Sequence, residues 1–197
     1  KKAHVSHLLL TQLMFITAFS CSVKVEQMCK YYGLDQETVQ IGFKHIAERM
    51  ISENVLLGGE ESGGIATKGH IPERDGIWMG LILFEFMAKS GKTIDQLLEE
   101  VYTIVGKFAF ERIDLHLDEK IKKSIIKNCQ ENKYSCFGKY RIQKIETLDG
   151  FKFFFDDNTW LMIRPSGTEP VLRTYAEALN QEQCFDILEE TRKTLLE

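Results

Sequence analysis

The chain has 197 residues, 44 % hydrophobic and 27 % charged, with a net charge of −4. That is room for one large or two small globular domains, and it gives no basic stripe for a nucleic acid. Five cysteines (Cys21, Cys29, Cys129, Cys136, Cys184) form no Cys-x-x-Cys pair and stand at no ligand spacing from a histidine, so they read as reduced thiols of a cytoplasmic protein.

Lys1-Lys2 ahead of Leu8-Leu9-Leu10 and Met14-Phe15-Ile16 imitates a secretory leader, but His7, Thr11 and Gln12 interrupt the run, which is too short to span a bilayer. Residues 5–13 read instead as the last turns of a helix, with Val5, Leu8, Leu9 and Leu13 on one side. Met14 to Phe19 reads as a buried strand. Ser22 caps a helix over Val23 to Tyr32, which Gly33 ends. A short strand over Thr38 to Ile41, a helix over Phe43 to Ser52 and a strand over Val55 to Leu57 follow. This βαβαβ rhythm predicts an α/β domain with a mixed, mostly parallel sheet. Two more helices, Ile77 to Lys89 and Thr93 to Val105, are separated by Gly91.

The character changes after Gly106. Phe108 to Leu117 alternates like a strand, and Asp118 to Gln130 is an amphipathic, lysine-rich helix. Tyr140 to Glu146, Phe151 to Phe155 and Trp160 to Ile163 read as strands joined by the turn signals Asp149-Gly150 and Asp156-Asp157-Asn158. A last strand over 171–178 precedes a helix from about Gln181 to Leu196. This predicts a smaller α+β domain with an antiparallel sheet, and a domain boundary near 110: residues 1–110, then 111–197.

Two loops carry chemistry-bearing residues. Arg164-Pro165-Ser166-Gly167-Thr168-Glu169-Pro170 joins two strands. Its prolines fix φ, Gly167 lets amide donors approach a ligand, and Arg164 and Arg173 offer planar forks beside the Ser166 and Thr168 hydroxyls. The inventory suits an oxyanion, and equally a hairpin turn with side-chain to backbone bonds. Gly59-Glu60-Glu61-Ser62-Gly63-Gly64 follows a strand's C-terminal end, where ligands bind in α/β sheets. Glu60 and Ser62, two apart, suit sugar hydroxyls; the alternative is a flexible acidic loop. Lys44, in Gly42-Phe43-Lys44, reaches either a phosphate or solvent. His70, ahead of Arg74-Asp75-Gly76, is a cleft residue or a surface histidine. Neither a Gly-x-Ser-x-Gly elbow, nor a Walker motif around Lys68-Gly69, nor an Asp-x-Asp metal loop is present.

The two loops, 59–64 ahead of 164–170 on one chain, resemble the sugar-binding and phosphate-binding loops of the α-D-phosphohexomutase superfamily, of the phosphoglucomutase/phosphomannomutase kind. The resemblance runs from about Phe15 to the C-terminus. It implies that the chain is a C-terminal fragment holding domains three and four, the latter TATA-box-binding-protein-like. Glu60 and Ser62 would read sugar hydroxyls. Arg164, Ser166, Gly167, Thr168 and Arg173 would hold the distal phosphate, with Lys44 and His70 beside the bound sugar phosphate and Glu169 bracing an arginine. A phosphoserine and a Mg²⁺ loop, both on N-terminal domains outside this chain, would supply the chemistry through a hexose 1,6-bisphosphate intermediate, so the fragment alone is expected to be inactive. The partners implied are a phosphosugar and those N-terminal domains, with no nucleic acid and no membrane. Gly-Phe-Lys and His-Ile-Pro-Glu-Arg-Asp-Gly look closer to glucomutase-type members than to phosphoglucosamine mutases. Phe19-Ser20-Cys21-Ser22 departs from the relatives' Thr-Ser or Ser-Thr pair, so Ser22 takes no ligand role. A stand-alone phosphosugar-binding module and a phosphate-independent interaction domain are the rival readings.

Overall fold

Apolar Met14–Ala18 (β1) lies at the centre of a four-stranded sheet in the computed structural model, which describes residues 13–166 and 170–197. The expected helix over residues 5–13 therefore falls almost wholly outside the described residues. The chain divides between Gly106 and Lys107; the sequence places the change near 110. Each unit is described by itself.

In the first unit the strand order is β2-β1-β3-β4, with β2 Asp35–Val39, β3 Val55–Gly59 and β4 Ile65–Thr67. Strands β2 and β3 run parallel to β1, and β4 runs antiparallel to β3. Helices α1 (Lys24–Tyr32) and α2 (Phe43–Ser52) make the two crossovers. The first helix starts one residue later than expected, with Val23 and not Ser22 at its N-cap position. Ser22 Oγ accepts from the Lys24 amide at 3.0 Å just ahead of it, and Gly33 closes α1 in the left-handed region at φ 68°. Ile16, Phe43, Ile46, Val55 and Ala66 form the core. Its tightest point is Gly58, where an added Cβ would stand 2.2 Å from Ile46 Cγ2. Glycine at that place lets α2 lie directly on β3.

Two elements differ from the sequence reading here. Strand β2 begins at Asp35 rather than Thr38, because it is an edge strand: its half-exposed residues need little apolar content, and Gln36 Nε2 donates to Thr17 Oγ1 at 2.7 Å across the pair. Strand β4 is additional, and it turns the glycine-rich loop into the tip of a β3–β4 hairpin. Helices α3 (Gly76–Ser90) and α4 (Ile94–Val105) follow. Thr93 and Gln96 make a reciprocal capping box on α4. Apolar α3 leaves Ile77, Leu81 and Phe84 exposed, Ile77 at 81 %.

The second unit is built on the strands β5 Ala109–His116, β8 Lys144–Glu146, β9 Phe151–Phe154, β10 Trp160–Pro165 and β11 Val171–Ala178. They form one antiparallel sheet in the order β5-β11-β10-β9-β8. Alternation decides the faces. Phe153, Leu161, Ile163, Leu172 and Ala176 pack with Ile125 and Cys129 of α5 (Glu119–Gln130) and with Ile187 and Leu188 of α6 (Gln181–Leu196). The opposite register carries Trp160, Met162 and Arg164 on β10 against Glu177, Tyr175 and Arg173 on β11. The strand expected over Tyr140 to Glu146 is broken in two. β7 (Tyr140–Arg141) pairs with β6 (Cys136–Phe137), which holds Phe137 fully buried, and only β8 joins the main sheet. The fold is thus an α/β domain with a mostly parallel sheet, followed by an α+β domain with an antiparallel one.

Candidate functional site

Strand order 2-1-3 puts the topological switch between β1 and β3, and the loops that follow them leave from the same sheet edge. Across that switch Ser20 Oγ donates to Glu61 Oε2 at 2.5 Å, and Cys21 Sγ to the Gly59 carbonyl at 3.5 Å. Ser20 is fully buried. The glycine-rich loop is thereby tied to the loop after β1.

Glu60 is tied as well. Its Oε1 accepts from the Gly42 amide at 3.1 Å, at the N-terminus of α2, and its Oε2 stands 3.8 Å from Arg74 Nη1. The Glu60 side chain is 8 % exposed, whereas Arg74 lies largely in solvent with its guanidinium 5.5 Å from the Phe43 ring centroid. Gly64 makes room for this pair: a Cβ there would come within 2.5 Å of Arg74 Cδ and 3.2 Å of Glu60 Oε2. A carboxylate has about four lone-pair sites, so these two partners leave Glu60 able to accept from further donors. Ser62 is exposed at the hairpin tip, and Lys44 is exposed in the first turn of α2.

His70 is engaged within its own segment. Its Nε2 lies 2.8 Å from Asp75 Oδ2, and its ring stacks on Trp78 at 4.6 Å between centroids. Asp75 caps α3 by accepting from the Trp78 amide at 2.9 Å. That amide first, and His70 second, hold the Asp75 carboxyl below its ordinary value.

In the second unit, Arg164 and Arg173 face each other in register across β10 and β11, and Asp114 of β5 is the register partner of Arg173. Asp149, in the β8–β9 turn, receives Arg164 Nε at 3.1 Å and Nη2 at 3.3 Å. Arg173 Nε lies 4.0 Å from Asp114 Oδ2, while Arg112 forks onto Asp114 at 2.7 and 2.5 Å. The Arg112 fork holds the Asp114 carboxyl below the usual carboxylate range, helped by the charge of Arg173. The row across the sheet is therefore carboxylate, guanidinium, guanidinium, carboxylate. Like charges directly opposite in a sheet repel, and an anion received between them relieves it. Ser166 is buried, and its amide donates to the Val171 carbonyl at 3.1 Å. Gly167, Thr168 and Glu169 lie outside the described residues.

The structure thus brings Glu60 onto Gly42 and Arg74, and Arg164 onto the register position of Arg173. It adds residues to which the sequence reading gives no part in the site: Ser20 and Glu61 as a clasp, and Asp149 and Asp114 as arginine partners. In the sequence Asp149-Gly150 is only a turn signal; two acids flanking two arginines on adjacent strands is the clue available. Among the described residues no group of three or more His, Cys, Asp or Glu side chains is placed to hold a metal ion, and no helix is long and apolar enough to cross a membrane.

Comparison with known proteins identifies the family. The family model "Phosphoglucomutase/phosphomannomutase, alpha/beta/alpha domain III" matches residues 3–105, and that of the same family's C-terminal domain matches residues 113–194. A phosphoglucomutase/phosphomannomutase of Thermococcus kodakarensis is 30 % identical over 89 % of this chain and 36 % of its own length. A phosphoglucosamine mutase of Methanocaldococcus jannaschii is 31 % identical over 92 % of this chain and 39 % of its own. Overall identity thus does not favour the glucomutase type. A protein of Thermus thermophilus described as a phosphomannomutase superposes with a TM-score of 0.77 at 27 % identity, over 95 % of this chain and 37 % of its own. The chain spans well under half of the relatives it matches. With both of its units matched in order, it belongs to the phosphoglucomutase/phosphomannomutase family, of which it carries domain III and the C-terminal domain.

Proposed function

We propose that this chain is the substrate-recognition part of a phosphohexomutase, an enzyme that interconverts hexose 1-phosphate and hexose 6-phosphate through a phosphoserine and a bisphosphorylated sugar. Relatives named as mutases support the class of reaction. The observation that carries the binding role is the in-register pair Arg164 and Arg173, two guanidinium forks side by side at the start and end of one short loop. Glu60 and Ser62 read sugar hydroxyls. Arg164, Ser166 and Arg173, with Gly167 and Thr168 of the same loop, hold the phosphate that does not react, and Lys44 and His70 stand by the sugar phosphate. The phosphoserine, and the Mg²⁺ that assists it, belong to N-terminal domains that this chain does not include. The protein works in the cytoplasm.

Titration of the isolated chain with glucose 1-phosphate, mannose 1-phosphate and glucosamine 1-phosphate, followed by amide chemical shifts, tests this reading. Weak binding with shifts at Arg164, Ser166 and Arg173 is expected, and no turnover. For inorganic phosphate, Arg164→Ala should weaken binding far more than Glu60→Ala; equal losses would mean that the two loops are misassigned. The hexose that shifts the 59–64 loop most identifies the sugar.

A further inference from the structure

The turn at residues 147–150 has no assigned part in ligand binding, yet its Asp149 makes a two-point bond to Arg164. Both side chains are largely buried, at 20 and 24 % exposure. The bond uses Nε and Nη2 and leaves the Nη1 edge of the fork for an anion. Arg164 stands directly opposite Arg173. Left to themselves, two like charges in that register would turn their long side chains apart, and each would have to be re-ordered when a ligand arrives. Asp149 holds Arg164 in place from outside by two hydrogen bonds, while Asp114, forked by Arg112, stands 4.0 Å from Arg173 Nε and acts on it by charge.

We propose that Asp149 is a positioning residue: it fixes the Arg164 guanidinium beside Arg173 before ligand binds, so that a phosphate meets a preformed two-arginine cradle. This rests on the phosphate-binding reading above, and it predicts a sign that plain electrostatics does not. Removing a carboxylate makes the site more positive, which by Coulomb attraction alone would tighten anion binding. Loss of positioning weakens it, because the side chain must then be immobilised at the moment of binding.

The experiment uses the whole 197-residue chain with inorganic phosphate and glucose 1-phosphate as probes. Affinity is measured by titration, and the Arg164 Nε–Hε cross-peak is followed by NMR. Asp149→Asn should weaken both ligands by about three- to ten-fold, the size expected for ordering one long side chain. The Arg164 cross-peak should broaden, and Asp149→Glu should recover part of the loss. In the parent chain that cross-peak should be sharp and slow to exchange before any ligand is added, a result that needs no variant to fold. Unchanged or tighter binding by Asp149→Asn, or a parent Arg164 cross-peak already lost to exchange, overturns the proposal. If Arg164→Ala weakens binding and Asp149→Asn does not, the phosphate site stands and the positioning role falls. If Arg164→Ala changes nothing, the phosphate site itself falls.

Discussion

Glu60 accepts from the Gly42 amide at 3.1 Å, so the residue expected to read a sugar also pins the glycine-rich loop to the start of α2. The bond joins a carboxylate to a backbone donor and is shielded by the low exposure of Glu60. Hydrogen bonds of this charged kind contribute about 1.5–3 kcal/mol in partly buried settings. Glu60→Ala should therefore lower the unfolding free energy of the first unit by about 1–2 kcal/mol in urea titrations. Glu60→Gln keeps an acceptor for Gly42 and should cost less. Both should impair sugar discrimination. Equal stability of Ala and parent chains would show that the Gly42 contact holds nothing.

Asp75 links a histidine to a helix start. Its folded-state carboxyl sits below the ordinary value of 3.8, chiefly through the Trp78 amide and then through His70. A group depressed in this way stabilises the fold fully above its unfolded pKa, and the contribution is lost as pH falls through the folded pKa. The Asp75→Ala variant should melt earlier than the parent at neutral pH, and the difference should shrink steadily as pH is lowered below about 4. A constant gap across that range would mean that charge plays no part in the cap.

Legibility follows from how local each determinant is. The Gly33 stop, the Thr93 capping box and the alternation of β10 and β11 are fixed within a few residues, and they stand where periodicity puts them. Strand β2 is displaced because an edge strand needs few apolar residues, and the β-branched Val39 and Ile41, two apart, draw the reading off its true start. The hairpin β6–β7 escapes a sequence reading because Phe137 is drawn inward by aromatic partners distant in sequence, Phe153 at 5.1 Å among them. At the site, Glu60 and Arg164 are legible as residue types in motifs. Gly42 and Arg74 are legible in motifs as well, but their pairing with Glu60, and that of Asp149 with Arg164, is not, since the partners lie 14 to 18 positions apart and only the fold brings them close.

The cysteines divide by burial. Burial pushes the Cys129 thiol up to about 12 and the Cys184 thiol up to about 11, so both stay protonated at neutral pH. Cys136 is exposed on β6. In the folded chain a thiol reagent at pH 8 should modify Cys136 first and leave Cys129 and Cys184 untouched until denaturant is added. Mass mapping of labelled peptides reads this directly, and early labelling of Cys129 would show that the α5 face of the second unit opens in the native state.

Gly58 offers the sharpest test of how the fold supports the site, because the strand that carries it runs straight into Glu60. An added methyl would sit 2.2 Å from Ile46 Cγ2, and Ile46 is fully buried. Overpacking of this kind costs about 1–3 kcal/mol, so Gly58→Ala should be destabilised by that much even though its backbone dihedrals suit any residue. Ile46→Ala alone should cost about 2–5 kcal/mol through the cavity it opens. The double variant puts the new methyl into that cavity and should recover about 1–2 kcal/mol relative to the sum of the two. Strict additivity would mean that β3 shifts away from α2 rather than clashing with it. In that case Gly58→Ala should also lengthen the Glu60–Gly42 bond, visible as faster amide exchange at Gly42.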